Sequence, residues 1–145
     1  MIVGDFNTEY GSYCLELVHK MNMESKIKFT GRVNNVVKYL NMAEIFILPS
    51  SSKGEGSPIA ILEAMANGKN VLASDVPGIR DQLSNFPDHL FNPDVSKDLV
   101  EKLKKFMSID KEQNKKIGNI FQRYVDEKYS IHKEVEDLQN LYEKI

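Results

Sequence analysis

The chain has 145 residues, room for one domain with one core. Charged residues make up 28% of it and the formal net charge is −2, which argues against disorder and against a general affinity for nucleic acid. A single cysteine, Cys14, excludes an internal disulfide and a cysteine metal cluster, and the histidines His19, His89 and His132 lie far apart without ligand spacing.

Short apolar runs alternate with helical patterns along the chain. Met1-Ile2-Val3 is the first strand candidate and leads into Gly4-Asp5. Thr8 to Asn22 reads as a helix with Tyr13, Leu17 and Met21 at fourfold spacing, and Cys14 within it as an inert buried thiol. Lys26 to Phe29 is the next strand candidate, followed by Thr30-Gly31, and Asn34 to Met42 a helix carrying Val36, Val37 and Leu40. A strand over Glu44 to Leu48 runs into Pro49-Ser50, a helix follows over Ser57 to Asn67, and a strand over Asn70 to Ala73 runs into Ser74-Asp75. His89 to Phe91 is the last strand candidate, and Ser96 to Met107 a helix with Leu99, Leu103 and Phe106 inward and Ser96 as N-cap.

From Lys111 to Ile145 no strand signal remains. Two helices are predicted with a break near Tyr129-Ser130, the last one packing through Val135, Leu138, Leu141 and Tyr142. The lysines between Lys111 and Lys116 are expected on a solvated helix face, a peripheral contact with an anionic membrane being the alternative. This order predicts an α/β fold: a doubly wound, Rossmann-like, mostly parallel sheet with helices on both faces and a C-terminal helical tail. No apolar run approaches the ~18 residues of a membrane span. No basic segment precedes the N-terminal apolar residues, so a cytoplasmic protein is expected.

The chemistry concentrates in residues 53 to 63. Pro58 suits a first helical position, Ser57 an N-cap and Gly68 a left-handed C-terminal position. The N–H groups of Ile59 and Ala60 would then be free at a helix N-terminus, a site for an anion such as phosphate. Gly54 and Gly56 would let backbone approach a ligand, and Lys53 would add positive charge. Glu55 would repel phosphate if it pointed inward, so it is expected to face neutral hydroxyls. Glu63 is the only ionisable side chain from Ile59 to Ala66. A helix that apolar is expected to be packed on most sides, so its carboxylate should be buried and need donors, which ligand hydroxyls would supply. A diphosphate flanked by a sugar on each side, a nucleotide-sugar, meets all three demands. Gly54-Glu55-Gly56 lacks the later glycine and the downstream acid of a dinucleotide-binding turn, so a nicotinamide-dehydrogenase reading is not supported.

Gly31-Arg32-Val33, the run from Tyr39-Leu40 through Ala43 to Ser50, and Glu55 through Leu62-Glu63-Ala64-Met65-Ala66-Asn67-Gly68 to Ser74-Asp75-Val76-Pro77-Gly78 together resemble the C-terminal, donor-binding domain of the family 4 (group 1) glycosyltransferases of GT-B fold, with Glu55 and Glu63 as the E-x7-E motif. The resemblance implies that Glu63 binds ribose hydroxyls and that Glu55, the catalytic candidate, lies against the donor sugar. It also implies that backbone amides around Ser57, Ile59 and Ala60 contact the diphosphate and that Gly31, Arg32 and Val33 line the nucleobase. The implied reaction transfers a sugar from a nucleoside diphosphate sugar with retention at the anomeric carbon. It needs no metal and no cofactor beyond that substrate.

The same resemblance implies missing parts. The family's acceptor-binding N-terminal domain has no room in this length, and the first strand of the donor domain is expected to be absent. A fragment inactive alone is therefore expected, completed by the acceptor domain or a complementing chain, with exposed strand edges that favour self-association. One further reading stays open, a non-catalytic nucleotide-sugar binding module that completes a partner, while the E-x7-E context argues against a nucleotide-sugar epimerase of related fold. A plain α/β structural domain would bind no nucleotide.

Overall fold

The structure, a computed structural model, describes residues 1–51 and 55–144. Its contacts divide between two units, Met1–Tyr39 and Leu40–Ile145. In the first, the expected strands at Met1–Val3 and Lys26–Phe29 reduce to isolated bridges. Ile2 pairs with Phe29 in parallel sense and Gly4 with Gly31 in antiparallel sense. Their bonds are few: Ile2 N–H donates to the Lys28 carbonyl at 2.8 Å, Thr30 N–H to Ile2 at 3.0 Å and Gly4 N–H to Gly31 at 3.1 Å. Helix α1 (Glu9–Lys20) starts where the Thr8 hydroxyl accepts from the Gly11 amide at 3.0 Å. Gly11 is buried because the Phe6 carbonyl fills the space a Cβ would need. The apolar spacing of α1 does not mark a buried face, since Tyr13, Leu17 and Met21 are all exposed. The division between units falls within helix α2 (Val36–Met42).

The second unit is built on three parallel strands, β1 (Ile45–Leu48), β2 (Asn70–Ser74) and β3 (Leu90–Phe91), in the order β1-β2-β3. Ile45 stands opposite Asn70 and Leu48 opposite Ala73, while Ala73 and Ser74 meet Leu90 and Phe91. All five residues of the central strand are buried, as a parallel strand covered on both faces requires. Leu72 and Phe91 pack with Ile45, Ile47 and the Leu99, Leu103 and Phe106 side chains of α5 (Ser96–Met107). Helix α3 (Ile59–Ala66) packs on β2 and along α6 (Lys111–Tyr129), so the sheet carries helices on both faces.

Helix α3 ends as its sequence foretells. Gly68 takes φ +64°, its N–H donates to Met65 at 2.9 Å, and Lys69 N–H donates to Ala64 at 3.0 Å, closing a Schellman motif. There α6 comes closest, for a Cβ on Gly118 would lie 2.3 Å from the Gly68 carbonyl oxygen.

Two short elements escaped the sequence pattern, α4 (Ile79–Gln82) and a 3-10 turn over Pro87–His89. Two caps differ from expectation. Ser96 is the first residue of α5 rather than its cap, and Pro58 rather than Ser57 precedes α3, with extended backbone at φ −69° and ψ 113°. The tail divides at Ser130 as expected, where the serine hydroxyl caps α7 (Ile131–Tyr142) by accepting from Lys133 N–H. No residue of α7 is buried, however, so its apolar stripe is not a packed face within this chain. No described helix is long and apolar enough to cross a membrane.

His89 is buried between sheet and helices. Its ring stands 4.9 Å from those of Phe106 and Phe121, and Nδ1–H donates to the Val71 carbonyl at 2.7 Å. A carbonyl only accepts, so the proton belongs on Nδ1. Burial pushes the imidazole below its ordinary value near 6.5, with the Val71 bond and Asp88 opposing and Lys102 and Lys105 assisting. Above that value the ring is neutral whether folded or not. As pH falls below it, the unfolded chain takes up the proton first and stability is lost.

Urea unfolding should therefore show a larger loss of stability between pH 7.5 and 5.5 for the parent chain than for His89→Gln; equal losses would contradict this account of the imidazole. Gly118→Ala should lower the unfolding free energy by about 1–3 kcal/mol, because backbone rather than a flexible side chain fills the space; an unchanged urea midpoint would refute the close crossing of α6 over α3.

Candidate functional site

Parallel sheets bind ligands outside the carboxyl ends of their strands. Here those ends release the Pro49–Ser51 segment after β1, the Asp75–Gly78 turn after β2 and Asn92-Pro93 after β3. The chain returns at Glu55, turns through Gly56-Ser57-Pro58 and enters α3 at Ile59. Ile61 N–H donates to Pro58 at 3.2 Å, which leaves the amides of Ile59 and Ala60 ahead of any acceptor inside the helix. With the helix dipole behind them they favour an anion.

Glu55 is exposed, and one carboxylate oxygen accepts from the Ser50 hydroxyl at 2.8 Å. The end of β1 thus holds the acid at the mouth of the turn. Glu63 is exposed as well, which corrects the expectation of a buried carboxylate. The reason is the asymmetry of α3. Ile61, Ala64 and Met65 face inward, while Ile59, Glu63 and Ala66 form the outer stripe, on which Ile59 keeps 70% of its surface open. An apolar run does not make a helix buried all round when apolar residues such as Ile59 and Ala66 lie on the open side. Solvent meets the hydrogen-bonding needs of Glu63, and its place is set by sharing a stripe with the first residue of the helix. Its backbone carbonyl accepts from Asn67 Nδ2 at 2.8 Å.

The turn rests on the segment after β2. Gly78 has φ +82°, and a Cβ there would lie 1.9 Å from the Gly56 carbonyl oxygen and 2.2 Å from that of Glu55. Arg80 braces the segment, with Nε 2.6 Å from Asp75 Oδ1 and Nη2 donating to the Asp75 carbonyl at 3.2 Å. Behind them Gln82, buried on α4, reaches Ser57 with Nε2 2.9 Å from Oγ. Tyr124 of α6 donates its hydroxyl to the Gln82 carbonyl at 3.1 Å. Sequence reasoning passed over Gln82. Ile79, Gln82 and Leu83 follow helical spacing, and a glutamine on that apolar face was the available signal.

Glu55, Gly56, Ser57, Ile59, Ala60 and Glu63 are thus collected on one turn and one helix. Lys53 and Gly54 lie outside the described residues. Gly31, Arg32 and Val33 belong to the first unit, where Gly31 takes φ +72° and Arg32 Nε lies 3.6 Å from Asp5 Oδ2. A depression of about 410 Å³ lined by Asp75, Pro77, Arg80 and Asn92 borders the turn after β2. Another of about 520 Å³, lined by Glu44, Lys69, Phe106 and Lys115, sits at the opposite strand ends, away from the acids.

Residues 1–123 match the family model described as glycosyl transferases group 1. Over 120 residues the chain is 30% identical to the capsular polysaccharide biosynthesis glycosyltransferase CapH of Staphylococcus aureus, a match covering 82% of this chain and 33% of that protein. Over 86 residues it is 35% identical to the N,N'-diacetylbacillosaminyl-diphospho-undecaprenol alpha-1,3-N-acetylgalactosaminyltransferase of Campylobacter jejuni, covering 59% of this chain and 22% of that protein. The chain therefore spans a third or less of these curated relatives. Among solved structures, a glycosyltransferase from Rickettsia africae superposes with a TM-score of 0.85 at 21% identity, over 98% of this chain and 38% of that one. Anabaena Alr3699/HepE in complex with UDP superposes with a TM-score of 0.86 at 18% identity, over 99% of this chain and 40% of that one. These likenesses give the fold, that of the GT-B glycosyltransferases.

Gly78→Ala should displace the Glu55–Gly56 turn and cost about 1–3 kcal/mol for the left-handed backbone alone. A crystal structure of the variant with the turn unmoved, or an unchanged urea midpoint, would contradict the seat described for it.

Proposed function

The chain belongs to the group 1 glycosyl transferases, and we propose that it forms the donor site of such an enzyme, binding a nucleoside diphosphate sugar at the carboxyl ends of β1 and β2. The diphosphate lies at the N-terminus of α3 against the Ile59 and Ala60 amides. Glu63 takes the ribose hydroxyls and Glu55 the transferred sugar. By the family resemblance, Gly31, Arg32 and Val33 are assigned to the base, and Lys53, Gly54 and Gly56 to the phosphates. The observation that carries this reading is the clustering of a free helix N-terminus, a carboxylate held beside it by Ser50, and a second carboxylate on the open stripe of the same helix. The UDP bound to the Anabaena neighbour and the polysaccharide chemistry in the name of CapH support it.

The reaction is sugar transfer with retention, without a metal. Negative charge grows on the departing diphosphate, and fixed N–H donors and a helix dipole stabilise it without reorganising. The acceptor is bound by a separate domain or a complementing chain, and this chain alone does not turn over. Its coverage of a third or less of its curated relatives supports that part of the proposal. Among the described residues β1 and β3 are the outer strands of the sheet, and self-association through them belongs to the proposal. A cytoplasmic setting goes with the reading.

Calorimetric titration with uridine, guanosine, adenosine and thymidine diphosphates and their sugars tests the reading. One base should bind, and Glu63→Gln should weaken it about tenfold, the loss of one charge-assisted hydrogen bond. Glu55→Gln should weaken the sugar-bearing ligand more than the bare diphosphate, and a chelator should change nothing. Absence of binding, or a Glu63→Gln chain that binds like the parent, would overturn the donor site, and sugar transfer by the isolated chain would overturn its dependence on a second domain.

A further inference from the structure

Gln82 is 2% exposed and its neighbours Ile79 and Leu83 are fully buried. Its main chain is pinned at both ends: its N–H donates to Gly78 at 3.2 Å and its carbonyl accepts from the Tyr124 hydroxyl at 3.1 Å. The side chain then has one described partner, Ser57, whose Oγ accepts from Nε2 at 2.9 Å, while Oε1 is buried without a partner among the described residues. A buried acceptor left unpaired is unfavourable by about 1–3 kcal/mol, so this glutamine is not there for stability.

A hydroxyl owns one proton and two lone pairs. When Ser57 Oγ accepts from the Gln82 amide, its proton is turned away from Gln82. Ser57 is exposed and stands two residues before α3, so that proton is available to a ligand at the start of the helix. Gly78 holds the turn from beneath and prevents Ser57 from drifting off its partner. We propose that Gln82 is a positioning residue that sets the polarity of the Ser57 hydroxyl, making it a third hydrogen-bond donor to the diphosphate; the inference rests on the donor-site reading above. Without Gln82 the hydroxyl is free to rotate and donate to water. With a carboxylate in its place the hydroxyl donates backward and presents a lone pair to the phosphate oxygens.

The test is a double-mutant cycle with Gln82→Glu, Gln82→Met and Ser57→Ala, titrated with the uridine, guanosine, adenosine and thymidine diphosphates, with thermal unfolding followed on each variant. Ser57→Ala, at an exposed position, should keep the fold and raise the dissociation constant about tenfold, the loss of one hydrogen bond to a charged group. Gln82→Glu should raise it at least as much, and both Gln82 substitutions should have little further effect in the Ser57→Ala background. A merely structural role for Gln82 would weaken binding equally in either background, and that result would overturn the proposal. So would a Ser57→Ala chain that binds like the parent, which decides the matter even where a Gln82 variant does not fold. Failure of the parent chain to bind any of the four diphosphates would remove the donor site and this inference together, whereas parent binding that these substitutions leave untouched would remove this inference alone.

Discussion

The carbonyl oxygens of Glu55 and Gly56 occupy the space where any residue other than glycine at position 78 would carry its Cβ. That contact joins the two loops which leave the carboxyl ends of neighbouring strands. Through it the position of Glu55 and the start of α3 depend on the Val76-Pro77-Gly78 turn, and so on the register of β2. Register is well fixed there. Every residue of β2 is buried, and a slip by one residue would exchange Leu72 for Val71 or Ala73 on the face that meets Phe91 and Phe106. A site on exposed loops thus inherits precision from the most enclosed strand of the chain.

Around that contact the polar groups form layers. Asp75 and Arg80 tie the ends of the turn to each other, and Ser50 ties Glu55 to the end of β1. Gln82 and Tyr124 carry the connection inward to α6. Glu55, Ser57 and Glu63 stay open, while Gln82 and Tyr124 behind them are buried.

Much of the second unit was legible in the sequence. Short β-branched runs ending in turn residues gave β1, β2 and β3, and Gly68 and Ser130 marked helix boundaries to the residue. The E-x7-E spacing and its neighbours gave the family before any coordinates did. What failed did so for definite reasons. Spacing gives the direction of an apolar stripe but not whether anything covers it, so the stripe expected to pack α7 is left open by this chain, and the fourfold spacing in α1 marks no buried face. Density of apolar residues gave no orientation for Glu63. The bond from Gln82 to Ser57 joins residues 25 positions apart, and no local pattern contains it. Residues 1–3 and 26–29 had strand-like composition but meet through single bridges.

The parallel arrangement also governs how this unit assembles. Ile45 can pair with Asn70 only after the chain has passed through α3, and Ala73 with Leu90 only after α4 and the 3-10 turn. Neither pairing can zip up from a hairpin, so each must close a long loop before any ladder bond compensates the lost chain entropy. High contact order of this kind slows the search for the native state. The crossovers must therefore close before the strand ends that carry these loops come side by side.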